Sequence, residues 1–140
     1  MISQGDRDIF QTMINQVIKD KFKKEWSNIV KVEPLLFASF VPLCYPQGDT
    51  TKKPYLDVYC ELYDRDKVKK TAEDSLIDYN GMNVSKRMNL VLFVTAIEHI
   101  VKIHRIITTE FGHALLIGVG GSGRKSLTEL AIFIAAFESF

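Results

Sequence analysis

The stretch "GHALLIGVGGSGRKSLTELAIFIAAF", Gly112 to Phe137, decides how the rest of the chain is read. Its apolar run from Ala114 to Gly118 predicts a parallel strand buried on both faces, because such strands read as continuous rather than alternating hydrophobic runs. A glycine-rich turn follows, and an apolar helix over Ser126 to Phe137 comes after it, carrying Leu127, Leu130, Ala131, Ile134 and Phe137. Strand, glycine turn and helix are the context that the pattern G-x-x-x-x-G-K-[ST] requires. Small residues there let backbone N–H groups curl around phosphate oxygens at the positive end of a helix. The candidate nucleotide-binding residues are therefore Gly118, Val119, Gly120, Gly121, Ser122, Gly123, Arg124, Lys125 and Ser126. A glycine-rich turn without a ligand is the plainer alternative.

Counting from Gly118 puts Gly123 in sixth place, Arg124 in the lysine place and Lys125 where a hydroxyl would hold Mg²⁺. Arg124 keeps the charge that reaches phosphate oxygens, but its planar fork meets them differently from a point ammonium. Lys125 has no lone pair for a metal and repels one nearby. Ser126 lies ~100° further around the helix and reaches the metal position only if the loop shifts register. The expectation is a site for a phosphate chain, as in ATP or ADP, that holds Mg²⁺ poorly. Hydrolysis also needs acidic metal-holding and water-orienting residues on a later strand, whereas only Glu138, Ser139 and Phe140 follow the helix. No catalytic residue is assigned.

Upstream, Ile9, Phe10, Met13, Ile14, Val17, Ile18 and Phe22 recur in steps of three and four, predicting an amphipathic helix over Asp6 to Trp26. Ser3 with Asp6 resembles a capping pair at its start, and Lys19, Lys21, Lys23 and Lys24 suit the negative pole at its end. "VEPLLFASFVPLCYP" is broken by Pro34, Pro42 and Pro46 and must be short pieces, and Gln47 to Pro54 reads as a loop. A short helix is expected near Tyr55 to Leu62, and another from about Asp66 to Tyr79 closed by Asn80-Gly81. Ser85 caps a third expected helix of about two dozen residues, with Met88, Val91, Leu92, Ala96, Ile97, Ile100, Ile103 and Ile107 at helical spacing.

Composition bounds the function. The 140 residues are 46% hydrophobic and 25% charged, which places them among globular chains. A formal net charge of +1 gives no broad footprint for nucleic acid or an anionic membrane. No apolar run approaches the ~18 residues of a membrane span, and "MISQGDRDIF" has no signal-peptide pattern, so an intracellular chain is expected. Cys44 and Cys60 lack metal or redox spacing and read as small thiols of a reducing compartment. His99 and His104 lie ~140° apart around a helix, which disfavours zinc, and His113 stands where it could approach a bound base.

"MNLVLFVTAIEHIVKIHRII" followed by "GHALLIGVGGSGRKSLTELAIFIA" closely resembles the start of the fourth AAA+ module of dynein heavy chains, axonemal type. "PLLFASF", "VYCELYDRDKVKKTAEDSLIDYN" and the first helix are similar to the same family's passage out of its third module, so the resemblance runs from about Asp6 to Phe137. The "GVGGSGR" core followed by "SL" is its most specific part. Similar axonemal chains usually carry Gln where Lys125 stands.

The fold implied is a mostly helical α/β fragment: residues 1–84 like the end of a preceding AAA+ module, then residues 85–140 as the N-terminal part of a P-loop module, with one parallel-type strand, P-loop and helix. The function implied is an ATP- or ADP-binding segment that serves microtubule-based ciliary movement in the full motor, in cytoplasm, cytoskeleton and axoneme, without motor activity alone. Its implied partners are the remainder of the motor ring and dynein complex, with microtubules reached only through regions not present here and neither nucleic acid nor membrane involved. Sensors, arginine fingers, stalk and linker have no counterpart in these residues, so the chain reads as a fragment or short isoform. A lone strand and a helix without its sheet predict association or partial disorder in isolation. The competing reading is a helical interaction fragment that binds no nucleotide.

Overall fold

Ser3 caps the first element by accepting a hydrogen bond on its hydroxyl from the Asp6 N–H, while the Asp6 carboxylate accepts from the Ser3 N–H at 3.2 Å and from its hydroxyl at 2.7 Å. This reciprocal box satisfies two groups that a helix start leaves orphaned. The Ser3 hydroxyl, then the Ser3 backbone, hold the Asp6 carboxyl below its usual range. The computed structural model describes residues 3–41 and 59–139. It divides into two units at Leu35 and Leu36.

In the first unit α1 (Gln4–Val17) runs into a single π-helical turn, Ile18–Phe22, and stops at Lys23, which is left-handed at φ 54°. A short α2 (Trp26–Ile29) follows, and the Trp26 indole donates to the Glu33 carboxylate at 2.8 Å. The single helix expected over Asp6 to Trp26 is thus corrected to two pieces. Lys19 and Lys23 would form a like-charged i,i+4 pair on a continuing helix, which disfavours another turn there. The apolar face is real, but Ile9, Phe10, Met13 and Val17 are all exposed, and no residue of α1 is buried.

The second unit contains the core. Phe37–Ala38 (β1) pairs antiparallel with Cys60–Glu61 (β2), Phe37 opposite Glu61 and Ala38 opposite Cys60, and Leu62 N–H extends the ladder to Leu36 O at 2.8 Å. The helix expected near Tyr55 to Leu62 is corrected over its described part. Leu62 is buried while Tyr59 and Tyr63 are exposed, a period of two that belongs to a strand. Residues 55–58, the loop Gln47 to Pro54, Pro42, Cys44 and Pro46 lie outside the described residues. Cys60 is disulfide-bonded, correcting its reading as a thiol.

Asp64 caps α3 (Arg65–Met82) by accepting from Lys67 N–H at 3.1 Å. Val68, Ala72 and Tyr79 bury one side of it. The helix does not close at Asn80-Gly81, because Asn80 turns its amide toward another segment instead of ending its own. Its Nδ2 donates to Met88 O at 2.9 Å and its Oδ1 accepts from Met88 N–H at 2.7 Å. That ring pins an irregular stretch, preceded by a 3₁₀ turn at Val84–Lys86, where one long helix from Ser85 was expected. Met88 and Leu92 are buried from this non-helical path, so helical spacing there misread anchor residues as a face. Asn80→Ala is expected to lower stability by about 1–3 kcal/mol by orphaning both Met88 groups, measured as a fall in urea midpoint by far-UV circular dichroism.

Helix α4 (Val94–Thr108) buries Ala96, Ile97, Ile100, Val101, Ile103 and His104, and α5 (Arg124–Ile134) buries Leu127, Leu130 and Ala131. These two helices pack on each other and both pack on α3, while β1 packs on α4. Helix α5 ends earlier than the expected Phe137. Left-handed Ala136 lets Phe137 N–H reach Ile132 O at 3.1 Å and Ala136 N–H reach Phe133 O at 3.0 Å, a Schellman ending. The unit is therefore mostly helical with one small antiparallel pair. The parallel strand expected at Ala114–Gly118 is absent: these residues pair with no strand among the described residues, and Leu115 and Ile117 are each 85% exposed. A parallel strand exists only through neighbours that take its N–H and C=O groups.

Candidate functional site

Two glycines shape the turn ahead of α5. Gly121 has φ 79° and Gly123 φ 73°, left-handed values that side-chain-bearing residues adopt at a cost, and Gly123 is the N-cap of α5. A Cβ built on Gly120, Gly121 or Gly123 meets nothing within 4 Å, so these glycines serve backbone shape and leave open space beside them. Leu127 N–H is the first to bond back along the helix, to Gly123 O at 2.8 Å. The first-turn amides of Arg124, Lys125 and Ser126 therefore precede any intrahelical acceptor. A cleft of ≈ 430 Å³ opens here, lined by Leu116 and by every residue from Gly121 to Ser126.

The structure thus brings Gly121, Ser122, Gly123, Arg124, Lys125 and Ser126 of the expected set around one space, while Gly118, Val119 and Gly120 form the strap leading to it. Arg124 ties the two parts together. Its Nη2 donates to Val119 O at 2.9 Å, and its side chain crosses Gly118, where an added Cβ would lie 3.4 Å from Cδ and Nε. Lys125 points elsewhere: Nζ is 3.8 Å from Glu129 Oε1 one helical turn on. Glu129 also accepts from the Tyr79 hydroxyl through Oε2 at 3.4 Å. Burial first, then the Glu129 charge and this hydrogen bond, raise the Tyr79 pKa.

Sequence reasoning did not find Glu129 or Tyr79. The i,i+4 spacing of Lys125 and Glu129 was the available signal for the first, and nothing local marks the second. Of the histidines, His104 is buried with its ring 4.8 Å from Phe40, while His99 and His113 are exposed. Among the described residues no group of three metal-ligating side chains converges, and no helix is long and apolar enough to cross a membrane.

Phosphate fits this turn on the chemistry of its donors, with open glycine backbone, unbonded first-turn amides and a guanidinium. Mg²⁺ does not fit the same way, because the position that would offer it a hydroxyl holds an ammonium. Residues 88–140 match the family described as P-loop containing dynein motor region D4. Over 140 residues the chain is 37% identical to dynein axonemal heavy chain 10 of Homo sapiens, covering 100% of this chain and 3% of that protein. It is 39% identical over 142 residues to the dynein beta chain, flagellar outer arm, of Chlamydomonas reinhardtii, with the same coverage. For dynein axonemal heavy chain 1 of Mus musculus the identity is 33% over 140 residues, again 100% against 3%. Over its whole length the chain is similar to dynein heavy chains of the axonemal type, and it spans about 3% of the length of these relatives.

Proposed function

We propose that this chain supplies part of an ATP or ADP site to an axonemal dynein heavy chain, with Gly118 to Ser126 cradling the phosphates. The observation that carries this reading is the pair of left-handed glycines, Gly121 and Gly123, opening a cleft at the first turn of α5. Backbone amides and the positive helix pole favour an anion there. Arg124 adds a charge-assisted donor once it leaves Val119 O. The boundaries that go with this reading are residues 1–84 as the end of a preceding AAA+ module and 85–140 as the start of the next. In the full motor the segment braces or regulates the ring, serves microtubule-based movement of cilia, and has no motor activity alone. Its relatives' names place them in axonemes and flagella, which supports a ciliary location and the rest of a dynein complex as partner.

Fluorescent ADP titrated into the 140-residue chain is expected to saturate. Arg124→Ala is expected to weaken that binding by about 1.5–3 kcal/mol through loss of a charge-assisted bond. Absence of saturation in a sample with the helical circular dichroism of the wild type would leave the fragment as an interaction module.

A further inference from the structure

Lys125 belongs to the phosphate cradle proposed above, and it carries an ion-pair partner, Glu129, that the cradle does not include. The Lys125 side chain is 89% exposed and held at 3.8 Å by a carboxylate that is only 25% exposed. That carboxylate is anchored in turn: its other oxygen accepts from Tyr79, a buried residue whose ring meets Phe133 edge-on at 5.4 Å. One member of the ion pair is thus fixed to α3 and α5, and the other is a solvent-exposed cation at the helix position next to the loop.

We infer that Lys125, held along α5 by Glu129, takes the part of the divalent cation, so that the loop selects a metal-free nucleoside polyphosphate. This rests on the nucleotide reading above and names the ionic form of its ligand. A free polyphosphate carries the charge that Mg²⁺ would otherwise neutralise, and Lys125 sits where its ammonium can swing onto that charge. A metal-bound polyphosphate brings a second cation toward the same ammonium and loses affinity through repulsion. Glu129 is a positioning residue: it competes with the phosphates for Lys125, and its own charge opposes theirs.

Fluorescent ATP titrated into the 140-residue chain, in EDTA and again in excess Mg²⁺, tests this. Wild type is expected to bind at least as tightly in EDTA. Lys125→Ser, which places the motif's hydroxyl at an exposed position, is expected to raise the ratio of Mg²⁺ to EDTA affinity by about fivefold or more. Glu129→Gln keeps an acceptor for Tyr79 and removes the charge, and is expected to tighten binding in EDTA by about two- to fivefold. A purely structural role for Glu129 would lower affinity in both buffers and leave their ratio unchanged. Saturable binding whose Mg²⁺ to EDTA ratio is the same in wild type and both variants overturns the inference and leaves the nucleotide site standing. No saturable binding by wild type in either buffer overturns the site itself, and the inference with it.

Discussion

Leu130→Ala is expected to cost the second unit about 2–5 kcal/mol, enough to remove a large part of a small domain's stability. Leu130 is 0% exposed, and with Ala131 and Leu127 it forms the inward stripe of α5 that meets α4. Truncating it removes apolar area and leaves a cavity between helices that cannot close without moving both. Because α4 and α3 also pack together, that movement would reach the Tyr79 and Phe133 contact. Urea denaturation followed by circular dichroism gives the size. An intact midpoint would mean that α5 is not docked on α4 in solution.

Gly112→Ala is expected to be comparably damaging for a different reason. A Cβ there would overlap the Ile106 carbonyl oxygen and stand 2.9 Å from the Thr109 carbonyl oxygen, both backbone atoms. Neither can yield as a side-chain tip would. The α4 terminus is held by Thr109 N–H to Arg105 O at 3.1 Å and by Gly112 N–H to Thr109 O at 2.9 Å, so relief of the clash requires unwinding that end. Loss of about 2–4 kcal/mol, of the order seen for forced overpacking and strain, is the expected result. Hydrogen exchange checks it: protection should fall first in the last turn of α4. Unchanged protection there would refute the steric account.

The two substitutions also show what could be read from residue order. Stripes such as Leu127, Leu130, Ala131 and Ile97, Ile100, Ile103 were legible because spacing on a packed helix is set by helical geometry. The capping box of Ser3 and Asp6 was legible because it is closed within four residues. Nothing local marks the crowding at Gly112, since the approach of Ile106 O depends on how the chain folds back after left-handed Phe111. Asn80 was misread for the same reason: Asn-Gly marks a stop locally, but its amide finds Met88 eight residues on. The β1 and β2 pair is two residues long on each side and leaves too short a period to detect. At Ala114–Gly118 apolar composition pointed to a strand, but composition carries no information about whether a neighbour exists to pair with it.

For the candidate site the glycine pattern foretold a shaped turn, and the left-handed angles at Gly121 and Gly123 accord with it. The roles of the nine residues as nucleotide ligands remain the proposal stated above. What the pattern did not carry is the orientation of the two cations. Arg124 folds backward across Gly118 and Lys125 runs forward to Glu129, and both choices depend on acceptors the motif does not specify.

The contact between Arg124 and Val119 O has a thermodynamic corollary. On the nucleotide reading, an oxyanion that took the Nη2 edge of Arg124 would exchange with a peptide oxygen already seated there. The enthalpy of that contact would be reduced to a difference between two oxygens, and discrimination among oxyanions would reflect angular match to the fork more than total charge.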